Sequence, residues 1–172
     1  MGVRRLRSLF GVLPALALAI ACAGLPGREP VASEEERRAY ATALVPLASN
    51  PTEATRRLES FVALHPESPL VDDATLRLAE LARARGDLDA ASRQYRKVVV
   101  EHPRGDRVDS ARLGLARLEL SRGNRAAADS VLRPMRLARL SPEERQLAYR
   151  VYADLAADPG DRLRWLARVR SG

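Results

Sequence analysis

The chain has 172 residues, enough for one modest domain behind a short leader. Its single cysteine excludes an internal disulfide and a cysteine-ligated metal cluster. The formal charge of +7 arises from 29 basic residues, all but Lys97 arginine, against 22 acidic ones. They alternate along the chain without the clustered, aromatic-interleaved pattern of a nucleic-acid footprint, so no nucleic-acid partner is expected.

Arg4, Arg5 and Arg7 precede an apolar run from Leu9 to Ile20, the layout of a secretory leader. The run falls short of the about 20 apolar residues that a membrane span needs. It ends in Leu18-Ala19-Ile20-Ala21-Cys22. A small residue followed by the lone cysteine resembles a bacterial lipobox, with Ala19 standing where that motif favours Leu. The resemblance implies residues 1–21 as a signal peptide and acylation of Cys22. Residues 22–33 would then form a lipidated flexible tether, rich in glycine and proline. Each buried acyl CH₂ would contribute about 0.8 kcal/mol to anchoring. By the same resemblance, Ala23 in place of a retention-signalling Asp implies the periplasmic face of the outer membrane. An ordinary secretory signal cut near Ala21 or Ala23, releasing the chain to the periplasm, is the alternative.

Ser33 followed by Glu36 is a capping box, in which each side chain satisfies an amide of the other's backbone, and it predicts a helix over 34–48 disturbed near Pro46. Asn50-Pro51 starts a second helix over 51–64, with Asn as cap and Pro at the first position. His65-Pro66 turns the chain into a helix over 70–85, where Ala74, Leu78, Leu81 and Ala82 share one face. Gly86 ends it as a left-handed residue, and Asp87 caps a return helix carrying Ala91, Tyr95, Val98 and Val99 inward. His102-Pro103 closes the unit. The next pair spans 108–122 and 125–137, joined at Gly123-Asn124, with Pro134 expected to kink or end the second member. Ser141-Pro142 starts a helix over 142–157, and a last helix after Asp161 carries Leu163, Trp165, Leu166 and Val169. No segment reads as a strand.

Two of these units copy one another 37 residues apart. His65 matches His102, Asp72 matches Asp109, Ala79 matches Ala116, Gly86 matches Gly123 and Ala91 matches Ala128. A fixed period of this size marks an array of stacked hairpins, in which each unit buries its apolar face only against its neighbours.

The segment 72–105 resembles a tetratricopeptide repeat, with Leu78-Ala79, Gly86, Ala91, Tyr95 and Pro103 at the family's packing positions. Gly123 and Ala128 repeat the pattern in the following unit, where Arg112 and Glu119 replace first-helix core residues. The resemblance implies an all-α, right-handed superhelix of about four hairpins over residues 34–172. The longer spacing and the His-Pro turns resemble the envelope lipoproteins of the BamD and CpoB type, and the N-terminal helical region of the penicillin-binding-protein activator LpoA. It implies a non-catalytic scaffold for other envelope proteins or peptides. A spacer or adaptor region of a larger LpoA-like activator, or a hydrolase with an unrecognised site, are the alternatives. It also implies a groove lined by first-helix residues: Asp73, Leu76, Arg77, Glu80 and Arg83, then Ser110, Leu113, Arg117 and Leu120. Its arginines, Arg77, Arg83 and Arg117, would either hold carboxylates through paired hydrogen bonds or simply be solvated surface charges.

Little else carries chemistry. His65 and His102 occupy one slot of a repeated turn, which is most simply structural. No metal-binding spacing and no phosphate-binding glycine loop is present, so neither metal nor cofactor is expected. Asp72-Asp73 and Glu143-Glu144 lie at helix starts, where the helix dipole favours negative charge. Trp165 and Tyr152 would either seal the last hairpin or anchor a partner.

Overall fold

The computed structural model describes residues 31–170. The leader, Cys22 and most of the tether lie outside them. Eight α-helices follow one another: α1 (Glu34–Leu44), α2 (Pro51–Leu64), α3 (Val71–Ala84), α4 (Leu88–Glu101), α5 (Val108–Ser121), α6 (Arg125–Leu132), α7 (Pro142–Leu155) and α8 (Pro159–Arg170). A 3₁₀ turn at Leu137–Arg139 precedes α7. The described residues form no strand. Consecutive helices pack on one another from α1 through α6, and α8 packs on α7, giving four hairpins; the first helices of successive hairpins also touch, α3 with α5 and α5 with α7, so α7 joins the stack through α5 rather than α6.

The expected starts have their chemistry in place. Ser33 and Ser141 make full capping boxes with Glu36 and Glu144, and Asn50 and Asp87 accept from the amides of Glu53 and Ala90. Gly86 and Gly123 both adopt φ +79°. At each, the glycine N–H donates to the carbonyl three residues back, and the next N–H donates five back, to Ala82 or to Glu119. This double bond pattern satisfies carbonyls that the helix end leaves free. Several helices stop short of their expected ends, two of them by a full turn or more. Pro46 has no N–H to continue α1, which ends at Leu44, and Pro134 ends α6 at Leu132.

Small side chains mark the crossings. Ala54, Ala74, Ala79, Ala91, Ala111, Ala116, Ala128 and Ala148 are all wholly buried. Around them runs a core in three linked parts: Leu58 and Phe61 with Leu78, then Leu76, Tyr95 and Val98 with Leu115, then Leu113, Leu132 and Met135 with Val151. The two charged residues at expected core positions are held by partners. Arg112 donates to Asp109 at 2.8 Å, and buried Glu119 accepts from Arg96 at 2.9 Å and from Asn124 at 3.0 Å.

Asp72 and Asp109 are matched by the repeat and buried alike, yet their surroundings differ. Asp109 faces Arg112 and, at 3.9 Å, Arg139 from the following turn. Asp72 has Thr75 where Asp109 has Arg112. It accepts only backbone amides, Asp73 N–H at 2.9 Å and Arg107 N–H at 3.4 Å, and a Cβ on Gly105 would overlap its Oδ2. Burial first, then the charges of Asp106 and Asp73, push the Asp72 carboxyl above its ordinary value of 3.8.

Two predictions follow from these contacts. No atom lies near a Cβ built on Gly86, so only its left-handed backbone resists substitution. Gly86→Val should cost about 1–2 kcal/mol in urea unfolding, and Gly86→Asn distinctly less. An unchanged midpoint for the valine variant would contradict this. Asp72 holds its proton more tightly folded than unfolded, so it adds stability at acid pH that is lost as pH rises from 3.8 through the raised folded value. Asp72→Asn should therefore lose less stability than the wild type on going from acid to neutral pH. Identical pH profiles would show that Asp72 is not the group responsible.

Candidate functional site

The site is the row of first-helix surfaces along α3 and α5. On α3, Arg77, Glu80 and Arg83 lie three residues apart and so share one stripe. Their repeat mates on α5 are Gly114, Arg117 and Leu120. Since α3 and α5 touch, the two stripes lie side by side. Arg77 is exposed, whereas Glu80, Arg83, Arg117 and Leu120 are half-buried. Three other residues expected in the groove face the interior instead. Leu76, Leu113 and Ser110 are buried, although each lies two turns before a residue of the stripe. Asp73 lies at the edge of the row, tied to Arg107 at 2.6 Å.

Tyr95 reaches this row from behind. It sits on α4, is itself buried, and lays its ring across Gly114. A Cβ at Gly114 would overlap Cε1 and Cζ of the ring and stand 2.9 Å from its hydroxyl oxygen. Glycine in the middle of a helix costs about 1 kcal/mol relative to alanine, so its presence here answers to the close approach of the tyrosine. Desolvation raises the Tyr95 hydroxyl above its ordinary value, while the guanidiniums of Arg83 and Arg117 oppose the rise.

The three arginines expected to bind carboxylates are not equivalent. Arg77 holds Glu80 at 2.7 Å and interacts with the Tyr40 hydroxyl. Arg83 and Arg117 have no carboxylate partner among the described residues, and the Nε of Arg83 is buried without a hydrogen-bond acceptor. Burial first, and then the charge of Arg83, hold the Arg117 guanidinium below its ordinary value. The row therefore contains two adjacent, partly desolvated cations.

The remaining candidates resolve into structural roles or separate features. Trp165 is half-buried and stacks on Tyr152 at 4.7 Å and Tyr149 at 6.0 Å, with Arg168 over its face at 4.6 Å. It joins α8 to α7 rather than standing out as an anchor. His65 packs on Phe61 with ring centroids 5.0 Å apart. His102 lines an open cavity of about 850 Å³ beside Asp72, Asp73 and Asp106, whose carboxylate oxygens lie within 4.8 Å of one another. Asp106 was not among the expected site residues. It reaches the cluster only because the turn before α5 folds back over the start of α3. Gly114 was equally absent from the expected set, although a glycine amid a helical pattern is a sequence sign of close packing.

Comparisons with known proteins bear on the family. No curated protein and no solved structure matches the chain. No helix of the described residues is long and apolar enough to cross a membrane. Residues 10–155 match the family model described as a tetratricopeptide repeat-like domain, a span that takes in α1 to α7. With most of its length under that match and its helices paired into four stacked hairpins, the chain belongs to the tetratricopeptide repeat-like domain family.

Proposed function

We propose that this chain is a non-catalytic scaffold that holds other cell-envelope proteins or peptides against its row of first helices, anchored by an acylated Cys22 to the periplasmic face of the outer membrane. Membership of a family built for protein–protein contact supports the scaffold role. The observation that carries it is the pair of aligned stripes, Arg77-Glu80-Arg83 on α3 and Arg117-Leu120 on α5, solvent-accessible and side by side on two rigid helices. Such a surface is preorganised, so a partner that docks there loses its own freedom without having to order the scaffold. The leader, the lone cysteine and Ala23 support the envelope location.

Two measurements in a Gram-negative host test this reading. Palmitate should label the wild type and not Cys22→Ala, and an unlabelled wild type would remove the anchor from the account. A photo-cross-linking residue placed at Arg77 or Glu80 should form adducts with envelope proteins. The same residue placed at Arg93, on the exposed side of α4, should not. Adducts from position 93 alone would place the docking surface on the second helices and contradict the proposal.

A further inference from the structure

Among the described residues, α8 is the one helix that carries no buried side chain. Its inner side holds Trp165, stacked on Tyr152 of α7 at 4.7 Å, and half-buried Val169 four residues on. The helical spacing gathers Leu163, Leu166 and Ala167 on the side turned away from α7. Leu163 is 66% exposed and Leu166 38% exposed, and no described residue covers them. Arg162 and Arg164, one residue before and one after Leu163, flank this apolar strip on its two sides and are both exposed. Arg164 meets Asp161 at 2.7 Å, but both groups are solvated, so the pair does little to hold the guanidinium back. Residues 159–170 hold four arginines against one aspartate, whereas residues 31–158 hold 21 basic residues against 20 acidic ones. The positive excess of the described fold is thus concentrated on this one helix, beside its uncovered leucines.

We propose that α8 docks on the surface of an anionic phospholipid bilayer, with Leu163, Leu166 and Ala167 entering the headgroup boundary and Arg162 and Arg164 reaching lipid phosphates on either flank. A short basic helix with one apolar side lies in the plane of such an interface, where long arginine stems follow the apolar surface while their charged heads stay wet. At 12 residues, α8 lies on a bilayer rather than spanning it. Charge decides between the possible occupants. A two-fold contact with a second copy would set the same arginines against their own images, and like charges repel. Two leucines also offer little of the about 800 Å² that each partner commits to a stable protein interface. An anionic membrane needs only one helix face and rewards each added cation. The docking of α8 goes beyond the scaffold reading and requires neither the groove nor the acyl group at Cys22. Where Cys22 is anchored as well, the stack would meet the membrane at both ends and lie along it.

The test uses the full chain carrying Leu163→Trp and Trp165→Phe, which moves its single tryptophan onto the exposed strip and keeps an aromatic ring against the tyrosines. Bromine on lipid acyl chains quenches tryptophan emission on contact. The chain is added to vesicles of brominated phosphatidylcholine alone, or of an equimolar mixture of that lipid with phosphatidylglycerol. Emission from position 163 should be quenched strongly on the mixed vesicles and weakly on the neutral ones, although the mixed vesicles hold less bromine. Salt raised to about 1 M, where the Debye length falls to about 3 Å, should reverse most of the quenching. Arg162→Gln and Arg164→Gln should each lower the ratio of docked to undocked chain about fivefold, the effect of one cation at an anionic surface. Arg133→Gln, an exposed arginine on α6, should change nothing. All these positions are exposed or aromatic-for-aromatic, and circular dichroism checks that each variant keeps its helices. Equal quenching on the two kinds of vesicle, or quenching that survives both arginine changes, overturns the proposal. So does a dimer of the full chain in detergent that Leu163→Gln splits, which would give the strip to a second copy, or a photo-cross-linker at position 166 that captures an acidic protein in place of lipid. Flotation with the neutral vesicles reads the anchor separately. A chain that floats there without quenching on either kind of vesicle keeps its anchor and loses the α8 contact.

Discussion

Helices approach closely only where their facing side chains are small, and this stack depends on that approach. Eight alanines on helices that pack together are wholly buried. Leucines, Tyr95 and Val98 fill the space around each crossing, so the core is continuous from one hairpin to its neighbour. No hairpin could bury its apolar face alone, and the array is stable through its interfaces rather than through a central core. The glycine turns serve the same end. Gly86 and Gly123 reverse the chain at the same angle, and the two hairpins they close come out as near copies.

The proposed docking surface is a by-product of that packing. Placing α3 beside α5 lines up Arg77, Glu80 and Arg83 with Gly114, Arg117 and Leu120. The exact repeat would have put an arginine at position 114. Glycine there instead admits the Tyr95 ring. Divergence between repeats also distinguishes Asp72 from Asp109. One buried carboxylate has two arginines beside it, and the other has two further aspartates. The proposed surface thus draws on the departures from periodicity, while stability resides in the periodicity itself.

That division explains what could be read from the sequence. Caps at Ser33, Asn50, Asp87 and Ser141, the turns at Gly86 and Gly123, and the matched alanines are local or periodic signals, and all eight helices follow from them. The early ends of α1 and α6 were blurred because a proline limits a helix without stating how many residues before it are lost. The exposure of Arg77 and the partial exposure of Glu80, Arg83, Arg117 and Leu120 agree with the expected row. Leu76, Leu113 and Ser110 share the stripe's side of their helices by spacing, and only contacts between helices decide that they are buried. The separation of Arg77 from Arg83 and Arg117 was not legible. It depends on which acid each guanidinium reaches, and a sequence with abundant arginine and acid offers many pairings. Asp106 and Gly114 acquire their meaning only from contacts across 34 or fewer positions that a repeat pattern does not encode.

The account stands on close helix contact at the matched alanines, and equilibrium urea unfolding of Ala91→Leu and Ala128→Leu measures it most directly. Both positions are wholly buried. Each added side chain should force the hairpins apart, lowering stability by about 1–3 kcal/mol, the usual cost of overfilling a packed interior. Unfolding midpoints equal to that of the wild type would mean that the helices do not meet at these residues, and the stack as described would not hold.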